Sequence, residues 1–207
     1  MKKKIFFLLF TVMPLICLSC ENKKEKTITN KKSKPIYSYE EKLKSELTEI
    51  RSFLGKSPKY NSDVALFLDM KIESGKNRFF VYDLKHNKLL NKGLVGHGSG
   101  SETGIRGELK FSNIENSNCS SLGKYAIGGS YVGSFGKAYK LHGLDKTNSN
   151  AFARNIVLHK YSDVPYDEQP YPICNSLGCP MVNEKFFGVL EKLIDNSKKK
   201  IILVMYY

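Results

Sequence analysis

The stretch Asn175-Ser176-Leu177-Gly178-Cys179-Pro180 constrains the fold more than any other part of the chain. Cys179 follows a glycine, which permits a tight turn and lets a carbonyl carbon approach the thiol. Such a thiol needs a histidine within reach to take its proton. Ile156-Val157-Leu158-His159 reads as a strand that ends on one. His159 and Cys179 lie 20 residues apart, too far for neighbours on one helix. Strand and loop packing has to bring them together, so their meeting is an expectation about the fold.

The rest of the pattern supplies strands for that purpose. Val64-Ala65-Leu66-Phe67-Leu68-Asp69 is a short apolar run. Arg78 to Asp83 and Lys88 to Val95 flank the turn Lys85-His86-Asn87 and predict a hairpin. Tyr125-Ala126-Ile127 opens another strand, and Gly128, Gly129, Gly133 and Gly136 loosen the stretch after it. Ile201 to Tyr207 is a closing strand. Two helices frame these runs. Leu43, Leu47, Ile50 and Leu54 form one apolar stripe over 39–54, with Ser38 as cap and Glu40-Glu41 at the positive end. Phe186, Val189, Leu190, Leu193 and Ile194 share a face over 184–194. Strands outnumber helices and no regular βαβ alternation appears, which predicts a mostly β, β-rich α+β domain. The segment from Tyr161 to Pro172 carries three prolines and is expected to form a flap over a cleft.

The N-terminus reads as an export signal. Lys2-Lys3-Lys4 precedes an apolar run from Ile5 to Leu18, too short to span a bilayer comfortably. Ser19-Cys20 follows, and the chain turns polar at Glu21. The pattern resembles a bacterial lipoprotein signal over 1–19, with Cys20 as the lipid attachment site, although Cys17 stands where Leu, Val or Ile is usual. Residues 20–37 are rich in Lys, Asn and Thr and read as a disordered tether. A leading helix over 38–60 and a domain over 61–207 complete the division. Loss of the signal takes the net charge from +13 to +10. That charge favours acidic surfaces, but no nucleic-acid motif is present and export argues against nucleic acid as a partner. With 41% hydrophobic residues the chain can build a core.

Of the five cysteines, Cys17 leaves with the signal and Cys20 takes lipid. Cys119, Cys174 and Cys179 remain in an oxidising compartment. A Cys119–Cys174 pair with Cys179 free would satisfy the odd count, and the sequence leaves this open. No His/Cys spacing suits zinc, so no metal is expected, and acyl transfer through a cysteine thiol needs no organic cofactor.

The residues His159…Ser176-Leu177-Gly178-Cys179 resemble the signature of the YkuD-type murein L,D-transpeptidases. The Gly-Cys-Pro ending looks like the branch known as the L,D-transpeptidase catalytic domain family. His97-Gly98-Ser99-Gly100-Ser101, Phe111-Ser112-Asn113 and Ser120-Ser121-Leu122-Gly123-Lys124-Tyr125 resemble further family segments. Met181 stands where the wider family carries an Arg, and the Gly-Cys-Pro branch also lacks it. The resemblance implies a YkuD-like β-sandwich domain with a leading helix and one helix after the nucleophile. It also implies a thioester mechanism on peptidoglycan stem peptides, giving 3→3 crosslinks. Cys179 would be nucleophile, His159 base and then acid, and Gly178 and Cys179 N–H groups oxyanion donors. Ser176, counted with the catalytic residues, would hydrogen-bond either the tight turn or the substrate. Arg154, His142 and Tyr131 are substrate-binding candidates, with His142 left open as a rival to His159. The alternatives are an L,D-carboxypeptidase and a non-catalytic wall-binding lipoprotein. A papain-like enzyme would place Cys before His, the reverse of the order here. The implied location is the cell envelope, lipid-anchored, on the periplasmic face of the outer membrane rather than the inner.

Overall fold

The computed structural model describes residues 38–207. The expected signal, the lipid site Cys20 and the tether lie outside the described residues. Among the described residues no helix is long and apolar enough to cross a membrane.

Helix α1 (Tyr39–Gly55) starts where the sequence places its cap: Ser38 Oγ accepts from Glu41 N at 3.4 Å, and Glu40 and Glu41 sit in the first turn. Leu43, Ile50 and Leu54 are buried, and Leu47 packs partly against them. The strands are β1 (Tyr60–Asp69), β2 (Phe79–Asp83), β3 (Lys88–Gly93), β4 (Val95–Gly96), β5 (Gly123–Gly133), β6 (Gly136–Gly143), β7 (Val157–Lys160), β8 (Met181–Val182) and β9 (Lys200–Tyr206). They form one continuous nine-stranded sheet in the order β3-β2-β1-β9-β5-β6-β7-β8-β4. The expected hairpin is β2–β3, and its turn residue Asn87 takes φ 53°. Gly128 and Gly129 form a bulge inside β5 between Ile127 and Ser130, so the glycine-loosened stretch is still a strand.

One cluster takes side chains from β1 and β2, from β4 to β9 and from helix α2 (Glu184–Asp195). A core touching β2, next to one end of the order, and β4 at the other means that the sheet curls round it, layer facing layer. The other face of β1, β2 and β9 packs against α1. On α2 the buried face is Phe186, Phe187 and Leu190, while Val189 is 39% exposed. Phe187 therefore takes the place that the pattern gave to Val189, because its ring lies against Tyr139 at 6.0 Å.

The 161–172 segment is anchored rather than free to swing as a flap, and Tyr161 at its start lines a cavity. Glu168 Oε1 accepts from Asn77 N at 2.9 Å, Gln169 N donates to Gly75 O at 2.7 Å, and Ile173 N donates to Ser74 Oγ at 3.1 Å. These bonds hold it against the 73–77 turn. Cys119, Cys174 and Cys179 are all free thiols, and the Cys119–Cys174 pair is not formed.

Candidate active site

Strand β7 pairs antiparallel with β6 and parallel with β8, with His159 opposite Met181. Cys179 precedes Met181 by two residues, and Val157 precedes His159 by two. Cys179 itself stands in the bend just ahead of β8, and its side chain and that of His159 line one cavity. Leu158, between Val157 and His159, points into the core instead.

The turn before Cys179 is closed by one hydroxyl. Ser176 Oγ donates to Cys179 O at 2.6 Å and accepts from Gly178 N at 3.1 Å. Gly178 takes φ +120°, and a Cβ there would meet Cys119 O at 2.9 Å, so glycine is required. Gly178 N–H is thus used inside the turn and is not presented to a substrate oxygen. The turn is tied down behind by Ser176 N to His97 O and Ser99 N to Ser176 O, both 2.8 Å.

Backbone groups of the 155–157 segment hold the thiol itself. Val157 N donates to Cys179 Sγ at 3.4 Å, and the thiol faces Asn155 O at 3.7 Å. Asn155 adopts φ 55°, a left-handed conformation that asparagine tolerates. Burial pushes the Cys179 thiol up, while the Val157 N–H and the charges of Arg154 and Lys140 oppose the rise. Burial lowers the His159 pKa, against a smaller effect of the Lys160 carbonyl. At neutral pH the resting pair is therefore thiol and neutral imidazole. His159 Nδ1 lies 3.0 Å from Lys160 O. A carbonyl only accepts, so Nδ1 carries the proton and Nε2 keeps its lone pair.

Cys179, His159, Ser176, Arg154, Tyr131 and Phe135 line one cavity of about 460 Å³. Arg154 faces it, but its guanidinium is engaged with the 112–121 loop. It donates to Ser112 O at 2.9 Å and Cys119 O at 2.6 Å, with longer contacts to Ser121 Oγ and Ser117 Oγ, both 3.4 Å. His142 is not brought to the cavity. It lies on β6 with its ring stacked on Phe152 at 4.9 Å, and burial, with Lys200 and Lys140, lowers its pKa. Tyr131 lines the cavity with Lys140 Nζ 4.6 Å from its ring.

Several participants carried no usable signal in the sequence. The Lys160 carbonyl and the Val157 N–H are backbone groups, which no residue type reveals. Phe135, at the tip of the β5–β6 hairpin, stacks on the His159 ring at 4.9 Å and 23°. His97 reads as a loop residue in the sequence, yet it is buried at 3% exposure. Its Nδ1 accepts from Arg78 Nη2 at 2.8 Å, so Nε2 carries the proton and donates to Glu102 Oε1 at 2.7 Å. Arg78, itself buried, also gives Nε and Nη2 to Val95 O at 2.9 and 2.7 Å. Asn175 Nδ2 reaches the same Glu102 oxygen at 3.2 Å, which links this cluster to the cysteine turn. Burial, then the Arg78 charge, pushes the His97 pKa down to about 4, so its bond to Glu102 is that of a neutral imidazole. Burial lowers Arg78 to about 9, which leaves it charged at pH 7. Among the described residues no group of three His, Cys, Asp or Glu is placed to hold a metal ion.

The family model described as "L,D-transpeptidase catalytic domain" matches residues 37–206. No curated protein sequence matches the chain. Solved structures similar to this one include an L,D-transpeptidase from Xylanimonas cellulosilytica, at 13% identity and TM-score 0.37, over 69% of this chain and 60% of that one. The helical cell shape determining protein Pgp2 from Campylobacter jejuni is similar at 13% identity and TM-score 0.42, over 69% of this chain and 46% of that one. An L,D-transpeptidase from Enterococcus faecium is similar at 9% identity and TM-score 0.41, over 70% of this chain and 50% of that one. The chain spans 46–60% of the length of these three.

Proposed function

The chain belongs to the L,D-transpeptidase catalytic domain family, and we propose that it transfers acyl groups of peptidoglycan stem peptides through a thioester on Cys179. One observation carries the reading: the β7–β8 pair puts Cys179 and a histidine with an unprotonated Nε2 into the same cavity. The reaction then follows from the groups present. His159 Nε2 takes the thiol proton as Sγ attacks the carbonyl carbon between the third and fourth stem residues. Val157 N–H, already directed at the sulfur, favours the thiolate. The tetrahedral oxyanion is assigned to Cys179 N–H, since Gly178 N–H is bound to Ser176 Oγ. The imidazolium returns its proton to the leaving amine, the D-amino acid departs, and the thioester remains.

An amine from a neighbouring stem then attacks the thioester and gives a 3→3 crosslink. Water in its place would make the protein an L,D-carboxypeptidase. We assign Ser176 and Arg154 to building the turn and its supporting loop, and Tyr131 to the cavity wall beside the substrate. The leader sequence supports a location in the cell envelope, with lipid on Cys20 as the anchor at the periplasmic face of the outer membrane.

The test is intact-mass spectrometry of the full chain and of Cys179→Ala after incubation with tetrapeptide-bearing muropeptides. The wild type is expected to gain an acyl adduct with loss of the terminal D-residue, and Cys179→Ala to gain none. Dimeric or tripeptide products identify the acceptor. Absence of adduct and turnover under reducing conditions would replace this reading with the wall-binding one.

A further inference from the structure

The β5–β6 hairpin carries an aromatic side chain to the histidine from a distant part of the chain. The two strands run together to Gly133 opposite Gly136, leaving Ser134 and Phe135 as the tip. Gly136 takes φ +80°, which lets the tip turn back over β7. There the Phe135 ring lies on the His159 ring, with centroids 4.9 Å apart and planes 23° from parallel. Its edge meets Tyr161 at 5.4 Å and 88°. The opposite side of Phe135 is open, for the residue is 51% exposed, while His159 beneath it is only 5% exposed. A large apolar side chain left half in water on a hairpin tip contributes little to the main core, and Phe135 belongs to none of the core clusters. Its contacts are with the imidazole, the Tyr161 ring and the cavity.

We propose that Phe135 is a positioning residue for catalysis: its ring clamps the His159 imidazole, so that Nδ1 stays on Lys160 O and Nε2 keeps one orientation in the cavity that it shares with Cys179. The proposal rests on the reading of His159 as the base. Without the clamp the ring is held at one nitrogen only, by a single hydrogen bond to Lys160 O. Rotation about its side-chain bonds would then break that bond and change where Nε2 points in the cavity. The same cover keeps water from the imidazole, consistent with the downward effect of burial on its pKa.

Few other charges act on this ring. The titratable and charged groups that line the cavity with it are the Cys179 thiol, the Tyr131 and Tyr161 phenols and the Arg154 guanidinium, the last held by Ser112 O and Cys119 O. Lys160 beside it is paired with Glu184 of α2. On β6, Lys137 is paired with Asp195 and Glu191, and Lys140 lies over Tyr131. With its neighbours paired or neutral, removing the aromatic cover is the change that the histidine should register.

The experiment compares full-length wild type, Phe135→Ala, Phe135→Tyr and Phe135→Leu by two readouts. The first is the His159 titration by NMR on histidine-labelled protein, assigned with His159→Gln. The second is the pH dependence of Cys179 alkylation by iodoacetamide, read on the Cys179 peptide by mass spectrometry. Phe135→Ala should raise the His159 pKa by about half a unit or more as water reaches the ring. It should also slow Cys179 alkylation at pH 7 by about two- to ten-fold, the worth of an aromatic pair. Phe135→Tyr, which keeps the ring, should behave as wild type. Phe135→Leu, which keeps only apolar cover, should hold the pKa near that of wild type but not the rate. An unchanged His159 titration and alkylation profile in Phe135→Ala overturns the clamp, and so does a Tyr variant that fails like Ala. Neither outcome touches the assignment of Cys179, which stands or falls on the acyl adduct. Failure of that adduct leaves the His159 titration as a test of the clamp alone. Thermal melts check that the variants fold.

Discussion

Acid should loosen this protein through His97 before it reaches the bulk of the carboxylates. His97 keeps a pKa of about 4 in the fold against 6.5 for an ordinary histidine, because it is buried and faces the Arg78 guanidinium. Protonation would set an N–H on Nδ1 against the N–H of Arg78. A lowered folded-state pKa means that below 6.5 the unfolded chain binds a proton that the folded chain refuses. The contribution of His97 is thus whole above pH 6.5 and is lost as pH falls through the window to about 4. Each unit is about 1.4 kcal/mol, so about 2 kcal/mol should be gone at pH 5 and about 3 kcal/mol at pH 4. Urea denaturation at pH 7, 6 and 5 of the full chain and of His97→Gln measures it. Glutamine keeps one acceptor for Arg78 and one donor for Glu102 but does not titrate. His142 and His159, whose pKa values are also lowered, are present in both proteins and cancel in the difference. Between pH 7 and pH 5 the wild type should lose about 2 kcal/mol more than His97→Gln. Parallel losses in the two proteins would refute the reasoning, since the buried imidazole would then titrate normally.

Two substitutions test the scaffold of the turn. Gly178→Ala must place a Cβ 2.9 Å from Cys119 O at φ +120°, and it should cost about 1–3 kcal/mol in urea and slow Cys179 alkylation; a variant as stable and reactive as wild type would show that the turn yields. Arg154→Lys keeps the charge but gives up the fork that spans Ser112 O and Cys119 O, so about 2 kcal/mol should be lost. If the variant instead keeps its stability and loses affinity for the stem peptide, Arg154 binds substrate rather than the loop.

The elements that depend on a repeated pattern were legible in the sequence. The stripe Leu43, Ile50 and Leu54 marks α1, and the apolar runs at 64–69, 78–83 and 201–207 coincide with β1, β2 and β9. Gly178 and Cys179 stand out because a turn requires glycine there and thiol chemistry requires access. Residues whose role comes from a contact between distant segments were not legible. Phe135 reads as one more aromatic until the β5–β6 register, with its bulge at Gly128-Gly129, delivers it to His159. Val189 and Phe187 are both apolar and lie near the edges of the same helical face, so packing against Tyr139 decided which was buried. The proline-rich segment at 162–172 looked free to move because its anchors, Gly75 O and Ser74 Oγ, lie in a loop with no pattern of its own.

The strands alone would not hold the nucleophile in place. β8 is two residues long, and it pairs with β7 and β4 over two positions each. So short a ladder fixes a direction but resists little force, and the cysteine lies just outside it. The cysteine is fixed instead by a set of polar bonds made by single side chains. Ser176 Oγ spans the turn, and Ser120 Oγ accepts from Gly98 N at 3.0 Å and reaches Gly178 O at 3.4 Å. Arg154 holds Cys119 O, the atom that lies where a Gly178 side chain would be. Behind them, Arg78 and Glu102 hold His97, whose carbonyl takes the Ser176 N–H. Each such bond in a buried site is worth about 1 kcal/mol when made and about 1–3 kcal/mol when one partner is left alone. The geometry at Cys179 is therefore kept by satisfied polar groups more than by sheet pairing. Loss of any one of them should reduce reactivity well before it reduces the sheet. Alkylation of Cys179 and amide exchange in β1 and β9, measured on the same Ser176→Ala protein, should separate: the first impaired, the second close to wild type.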